Sequence, residues 1–235
     1  MRRREFLGVL GGVAAGLAVG TKAMAAGLGW PLVFERKGTI FLLPDQGGQA
    51  RRLGTGGEPS LSPGGARAVW VESSAKASTA RLVLCDTAAG TLRELARPSE
   101  NVLTPRFSPD GARVAYVRRF QGGEELLVVR PGEAPVVLAR GGAQGPGFYE
   151  PTWTPDGAHV ATQDMRELTL WGLDGKAARR LALGTITGAG TDMISSADRF
   201  AFRPGRPGQI AFSMGTEGTA LFRKKVPDVS SGLFL

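Results

Sequence analysis

Short apolar runs broken by Gly, Pro and Asp follow one another along most of this chain, and few segments carry the three-to-four-residue apolar spacing of an amphipathic helix. Runs of four or five apolar residues between turn-forming residues are a strand signal. In one representative stretch the pattern predicts four strands, Arg106–Ser108, Val114–Val117, Leu126–Arg130 and Val136–Ala139. The first two are joined by Pro109-Asp110-Gly111. Proline presets φ near −65°, aspartate bonds its own backbone two residues on, and glycine takes the positive φ that other residues resist.

This stretch is one copy of a repeat. PSLSPGGARAVWV starts at Pro59, PRFSPDGARVAYV at Pro105 and PTWTPDGAHVATQ at Pro151, 46 residues apart each time, and a looser copy, FAFRPGRPGQIAFS, starts at Phe200. A hairpin recurs between these copies: IFLLPDQGGQARRL from Ile40, LVLCDTAAGTLREL from Leu82 and LTLWGLDGKAARRL from Leu168. Each places turn residues between two apolar runs and ends in arginine before leucine, as suits a charged outer edge strand. Asp45, Asp86 and Asp174 are therefore expected as turn residues. A period of this length implies a row of small sheets, each unable to bury its apolar face alone.

The alternation of L-x-x-x-D-x-x-G-x-x-R-x-L with P-x-[FW]-[ST]-P-D-G resembles the repeat of TolB-type β-propellers, over about 200 residues. The resemblance implies an all-β toroid of four-stranded antiparallel blades, in a family often periplasmic and bound to other envelope components. No counterpart of the α/β domain that precedes the propeller in TolB itself is expected here, so contacts made by that domain are not carried over. Residues 26–235 are assigned to the propeller. Their length corresponds to about five blades, within the four to eight that propellers use, with incomplete or open closure as the alternative. The first unit is expected to lack its inner strand, with Leu32–Glu35, Thr39–Leu43 and Gln49–Leu53 as its second to fourth strands. The last is expected to run through Gln209–Ser213 and Thr219–Arg223, with Val229–Leu235 as a closing strand.

Residues 1–25 read as an export signal: Arg2-Arg3-Arg4, an apolar stretch from Phe6 to Val19, and Ala23-Met24-Ala25 before Ala26. Arg3-Arg4-Glu5-Phe6-Leu7 resembles the twin-arginine pattern R-R-x-F-L, which implies export in the folded state to the periplasm. The apolar stretch is shorter than the 20 or so residues of a membrane-spanning helix, so no stable membrane insertion is expected after cleavage.

The formal charge of +8 falls to +5 without the signal. The remaining basic residues are scattered through hairpins without aromatic interleaving, which argues against nucleic acid as a partner. The one cysteine, Cys85, has no partner for an internal disulfide and reads as a small core residue. No cofactor motif and no Cys/His metal spacing is present. His159, the sole histidine, follows a turn glycine and belongs to no convincing Ser-His-Asp set. Trp70 and Trp153 fall in the repeat slots of Tyr116 and Phe107, which predicts packing between blades.

Candidate binding residues lie at loop ends. Glu58 and Glu150 hold the same repeat position, just before the inner strand, and are expected at the channel mouth, where they would meet a cation or a basic peptide group. Arg118 and Arg119, in the second-to-third strand connection, would offer anion binding near the same rim. Tyr149 and Phe148 would add apolar contact. Two loops, Arg140–Glu150 and Gly184–Asp198, are long enough to carry function. The expected function is a non-enzymatic module binding an envelope protein or polymer, monomeric when closed and dimeric when open. Two alternatives remain: a carbohydrate-active, lyase-like or peptidase-associated propeller, and a truncated paralogue with a structural role only. Neither a convincing catalytic base nor a G-x-S-x-G elbow is present to favour an enzyme.

Overall fold

A computed structural model describes residues 29–74, 79–99, 101–142, 147–183, 200–203, 206–212 and 233–234. The expected signal, 1–25, the loop 184–198 and the strand Thr219–Arg223 lie outside the described residues.

Among the described residues, five antiparallel sheets follow one another in chain order. The first holds β1 (Leu32–Arg36), β2 (Thr39–Leu43) and β3 (Arg51–Thr55). The second holds β4 (Gly57–Leu61), β5 (Arg67–Ser74), β6 (Thr79–Asp86) and β7 (Leu92–Ser99). The third holds β8 (Asn101–Phe107), β9 (Val114–Phe120), β10 (Gly123–Val129) and β11 (Val136–Gly142). The fourth holds β12 (Tyr149–Trp153), β13 (His159–Gln163), β14 (Glu167–Gly172) and β15 (Ala177–Ala182). The fifth holds β16 (Phe200–Arg203), β17 (Arg206–Phe212) and β18 (Leu233–Phe234). These are the blades of an all-β propeller, and their strands extend beyond the apolar runs that announce them. β8, for instance, starts five residues before Arg106.

In the first sheet, β1 and β2 pack on β4 as β5 and β6 pack on β8, so its three strands hold the second to fourth places of a blade. The expected strand Gln49–Leu53 lies two residues further on, at Arg51–Thr55. Of the expected tail strand, Leu233–Phe234 is described, and it pairs with β17 of the last sheet.

Period-two alternation distributes each central strand between two interfaces. Val69 and Val71 of β5, with Leu82 and Leu84 of β6, pack against Val114, Tyr116, Leu127 and Val129 of the third sheet. Their neighbours Ala68, Trp70, Val83 and Cys85 face the first sheet and Ile40. Ala115, Val117, Leu126 and Val128 face the fourth sheet, with Trp153 and Val160. Both faces of these strands are buried, so they read as continuous apolar runs rather than alternating ones.

Trp70 is fully buried, and its indole Nε1–H donates to Thr55 O at 2.9 Å. The ring lies where a side chain on Gly54 would be, since a Cβ there would stand 2.6 Å from Trp70 Cζ2. Trp153 is likewise buried, and its Nε1–H donates to Arg106 O at 3.0 Å. Both tryptophans pack between blades, as their repeat slots predict. Burial pushes the Tyr116 phenol up to about 12 and also raises the Cys85 thiol.

The turns follow their residue chemistry. Ser108 Oγ–H donates to Asp110, Asp110 Oδ1 accepts from Ala112 N at 2.9 Å, and Ser108 Oγ accepts from Arg113 N at 2.9 Å. Thr154, Asp156, Ala158 and His159 repeat this one blade later. Gly111 and Gly157, with φ of 67° and 68°, complete the turns. Asp86 accepts from Ala88 N and Ala89 N, Asp174 from Lys176 N, and Asp45 from Gln46 N, which gives all three the turn role expected of them. Arg67 ties adjacent blades together: its Nη2 donates to Gly111 O at 2.7 Å, and its guanidinium carbon lies 6.0 Å from the Phe107 ring centroid.

Candidate functional site

The site grows out of an irregularity that recurs in three blades. Each inner strand loses register against its neighbour at one point: between Gly57 and Ser60 in β4, between Leu103 and Arg106 in β8, and between Tyr149 and Thr152 in β12. Proline has no N–H for the ladder and is tolerated in a paired strand only where the ladder is interrupted, so Pro59, Pro105 and Pro151 sit at these bulges. The residue before each proline takes positive φ, 53° at Glu58, 49° at Thr104 and 46° at Glu150. Positive φ is uncommon outside glycine, and for a β-branched residue such as Thr104 it is strained.

Two rows of side chains therefore run across the blades, Glu58, Thr104 and Glu150 at the bulges and Ser60, Arg106 and Thr152 two residues on. With Pro59, Pro151 and Phe200 they line one cavity of about 350 Å³. Within it, Glu58 Oε2 accepts from the backbone N–H of Thr104, bridging the second and third sheets. Arg106 Nη2 donates to Glu150 Oε2 at 3.0 Å, bridging the third and fourth. Arg106 Nη1 also donates to Pro105 O at 2.9 Å, and Ser60 Oγ accepts from Phe107 N at 3.3 Å. Thr104 Oγ1 is buried and has no hydrogen-bond partner among the described residues.

Of the residues singled out from sequence, Glu58 and Glu150 come together in this cavity, and the other four do not line it. Phe148 is buried, with its ring edge-on to Trp171 at 5.9 Å, because both faces of its blade are covered; it is core rather than a contact surface. Tyr149 is half-buried beside Gly147, where a Cβ would lie 2.6 Å from Tyr149 Cε2. Arg118 and Arg119 are neutralised across the β9–β10 hairpin, where they stand in register with Glu125 and Glu124. Arg118 Nε donates to Glu125 Oε2 at 2.8 Å, and Arg119 Nε to Glu124 Oε1 at 2.6 Å. Arg140 Nε closes on the other Glu125 oxygen at 2.9 Å. Burial alone would raise the Glu125 carboxyl, but its hydrogen bonds from Arg140 and Arg118 outweigh burial and hold it below the usual range.

The same three-strand ladder occurs one blade earlier with its charges inverted. There Arg81 lies between Glu72, to which its Nε donates at 2.7 Å, and Glu94. Each ladder satisfies its own charges within one blade, whereas the cavity brings together polar groups from three blades. Sequence reading missed Ser60, Arg106 and Thr152, although their spacing two residues beyond the bulge positions carries the signal. His159 lies at the β12–β13 turn, where its N–H donates to Thr154 Oγ1 at 3.0 Å.

No protein-family model matches the chain, and no curated protein matches its sequence. Solved structures match its fold. TolB from Acinetobacter baumannii aligns with a TM-score of 0.52 at 15% identity, over 75% of this chain and 46% of that one. A chain of a nidogen/laminin complex aligns at 0.52 and 13% identity, over 75% of this chain and 64% of that one. Acylaminoacyl peptidase bound to Z-Gly-Gly-Phe-chloromethyl ketone aligns at 0.53 and 15% identity, over 81% of this chain and 36% of that one. The chain thus spans about half the length of the TolB chain it matches. Among the described residues, no helix is long and apolar enough to cross a membrane. The architecture is that of a TolB-like β-propeller.

Proposed function

We propose that this chain is a non-enzymatic protein-binding propeller, exported to the periplasm, whose partner inserts a segment at the channel mouth. The observation that carries this reading is the cavity of about 350 Å³ into which three blades send polar side chains from equivalent positions. That volume is at the lower end of pockets that enclose a ligand. The match to a chain of the nidogen/laminin complex supports a binding role. The match to acylaminoacyl peptidase keeps a peptidase-associated role as the second reading.

The test is retention of envelope proteins by the immobilised full chain, beside its Glu58→Ala/Glu150→Ala variant. A partner bound through the cavity should be retained about tenfold less by the variant, as expected for loss of central interface residues. Equal retention by both proteins would remove the cavity from the function. Export is tested separately: Arg3→Lys with Arg4→Lys should leave the chain in the cytoplasm, and unchanged export would exclude the twin-arginine route.

A further inference from the structure

Resting on the reading of the cavity as a protein-binding site, we propose that the group it accepts is a cationic side chain of the partner, seated on Glu58. The two carboxylates that line the cavity are not equivalent. Glu150 is neutralised by Arg106 at 3.0 Å. Among the described residues no cation pairs with Glu58, whose Oε2 accepts only an uncharged backbone N–H, that of Thr104. The lining therefore carries one net negative charge, and that charge is on Glu58, which is exposed to an entering group.

The backbone amide of Thr104 holds the Glu58 carboxylate in place, so little of its freedom remains to be lost when a ligand binds. Pro59, Pro151 and Phe200 supply apolar wall, which suits the methylene stem behind a lysine ammonium or an arginine guanidinium. A divalent cation fits less well. It calls for six or more oxygen ligands or several carboxylates. The Arg106 guanidinium already occupies Glu150, and among the described residues no three His, Cys, Asp or Glu side chains are grouped to hold a metal.

The experiment titrates the isotope-labelled full chain with three capped tripeptides, acetyl-Gly-Lys-Gly-amide and its Arg and Glu counterparts, following the Thr104 amide by NMR. Both basic peptides should shift that resonance saturably while the Glu peptide does not. Glu58→Gln should weaken the basic peptides about fivefold or more while leaving the dispersion of the spectrum unchanged. The ratio of the two basic affinities distinguishes ammonium from guanidinium. Equal binding of the Glu peptide, no saturable shift with any peptide, or unaltered affinity in E58Q would each overturn the cationic assignment. The cavity reading itself would survive any of these results, because it rests on partner retention by the Glu58→Ala/Glu150→Ala variant.

Discussion

Arg106 and Glu150, on neighbouring inner strands, meet at 3.0 Å with their side chains 27% and 16% exposed. Such a pair is more desolvated than a surface ion pair and less so than a core one, and removing Arg106 takes a charged partner from a carboxylate that is largely out of solvent. Arg106→Ala should cost about 1–2 kcal/mol, between the surface and buried limits. Urea denaturation would show this as a lowered midpoint with unchanged slope, and an unmoved midpoint would remove the pair from the account of how these blades are joined.

Gly54 and Trp70 should behave as one unit. Gly54→Ala places a methyl into the ring and should cost about 1–3 kcal/mol by overpacking. Trp70→Phe should be destabilising on its own, because it leaves a void and an unpartnered Thr55 carbonyl. Combined, the two should cost less than their sum, because the smaller ring makes room for the methyl. Strict additivity in thermal unfolding would mean that the two positions do not pack as described.

Thr104 combines positive φ, a branched Cβ and an unpartnered hydroxyl. Asparagine tolerates positive φ better. Thr104→Asn should therefore raise stability by about 0.5–1 kcal/mol. A fall in melting temperature would show that the bulge favours threonine for a reason other than those given.

Acid should loosen the turns. A hydrogen bond from Ser108 holds the Asp110 carboxyl below its ordinary range, with a second from Ala112 N, and Thr154 and Ala158 N do the same for Asp156. A carboxylate depressed in the folded state adds stability above its unfolded pKa, about 3.9, and that stability is lost as pH falls through the folded value. Melting temperature should therefore fall below about pH 4, and less steeply for Asp110→Asn with Asp156→Asn. Identical acid profiles for wild type and double variant would count against the turn assignment.

Glu125, with its side chain only 6% exposed between Arg118 and Arg140, should matter more than its inverted counterpart Arg81, which is 46% exposed. Glu125→Gln should cost about 1–3 kcal/mol and Arg81→Gln within about 0.5 kcal/mol. Equal costs, measured by urea denaturation, would mean that burial does not distinguish the two ladders.

The sequence by itself determined the 46-residue period, the blades and their turns, because these depend on interactions between near neighbours: Ser108 with Asp110, proline at a ladder break, glycine at positive φ. It also placed Glu58 and Glu150 at equivalent positions, since a repeat carries position from one blade to the next. Tertiary structure alone decided what those positions meet. Arg106 neutralises Glu150 and the Thr104 amide holds Glu58, which are contacts across 44 and 46 residues set by how one sheet stacks on the next. Arg118 and Arg119 turned out to be paired, because hairpin register set them opposite Glu125 and Glu124. Phe148, one residue before β12, entered the core because the third and fourth sheets close over it: its ring meets Trp171, and its backbone N–H donates to Glu124 Oε2 at 3.2 Å.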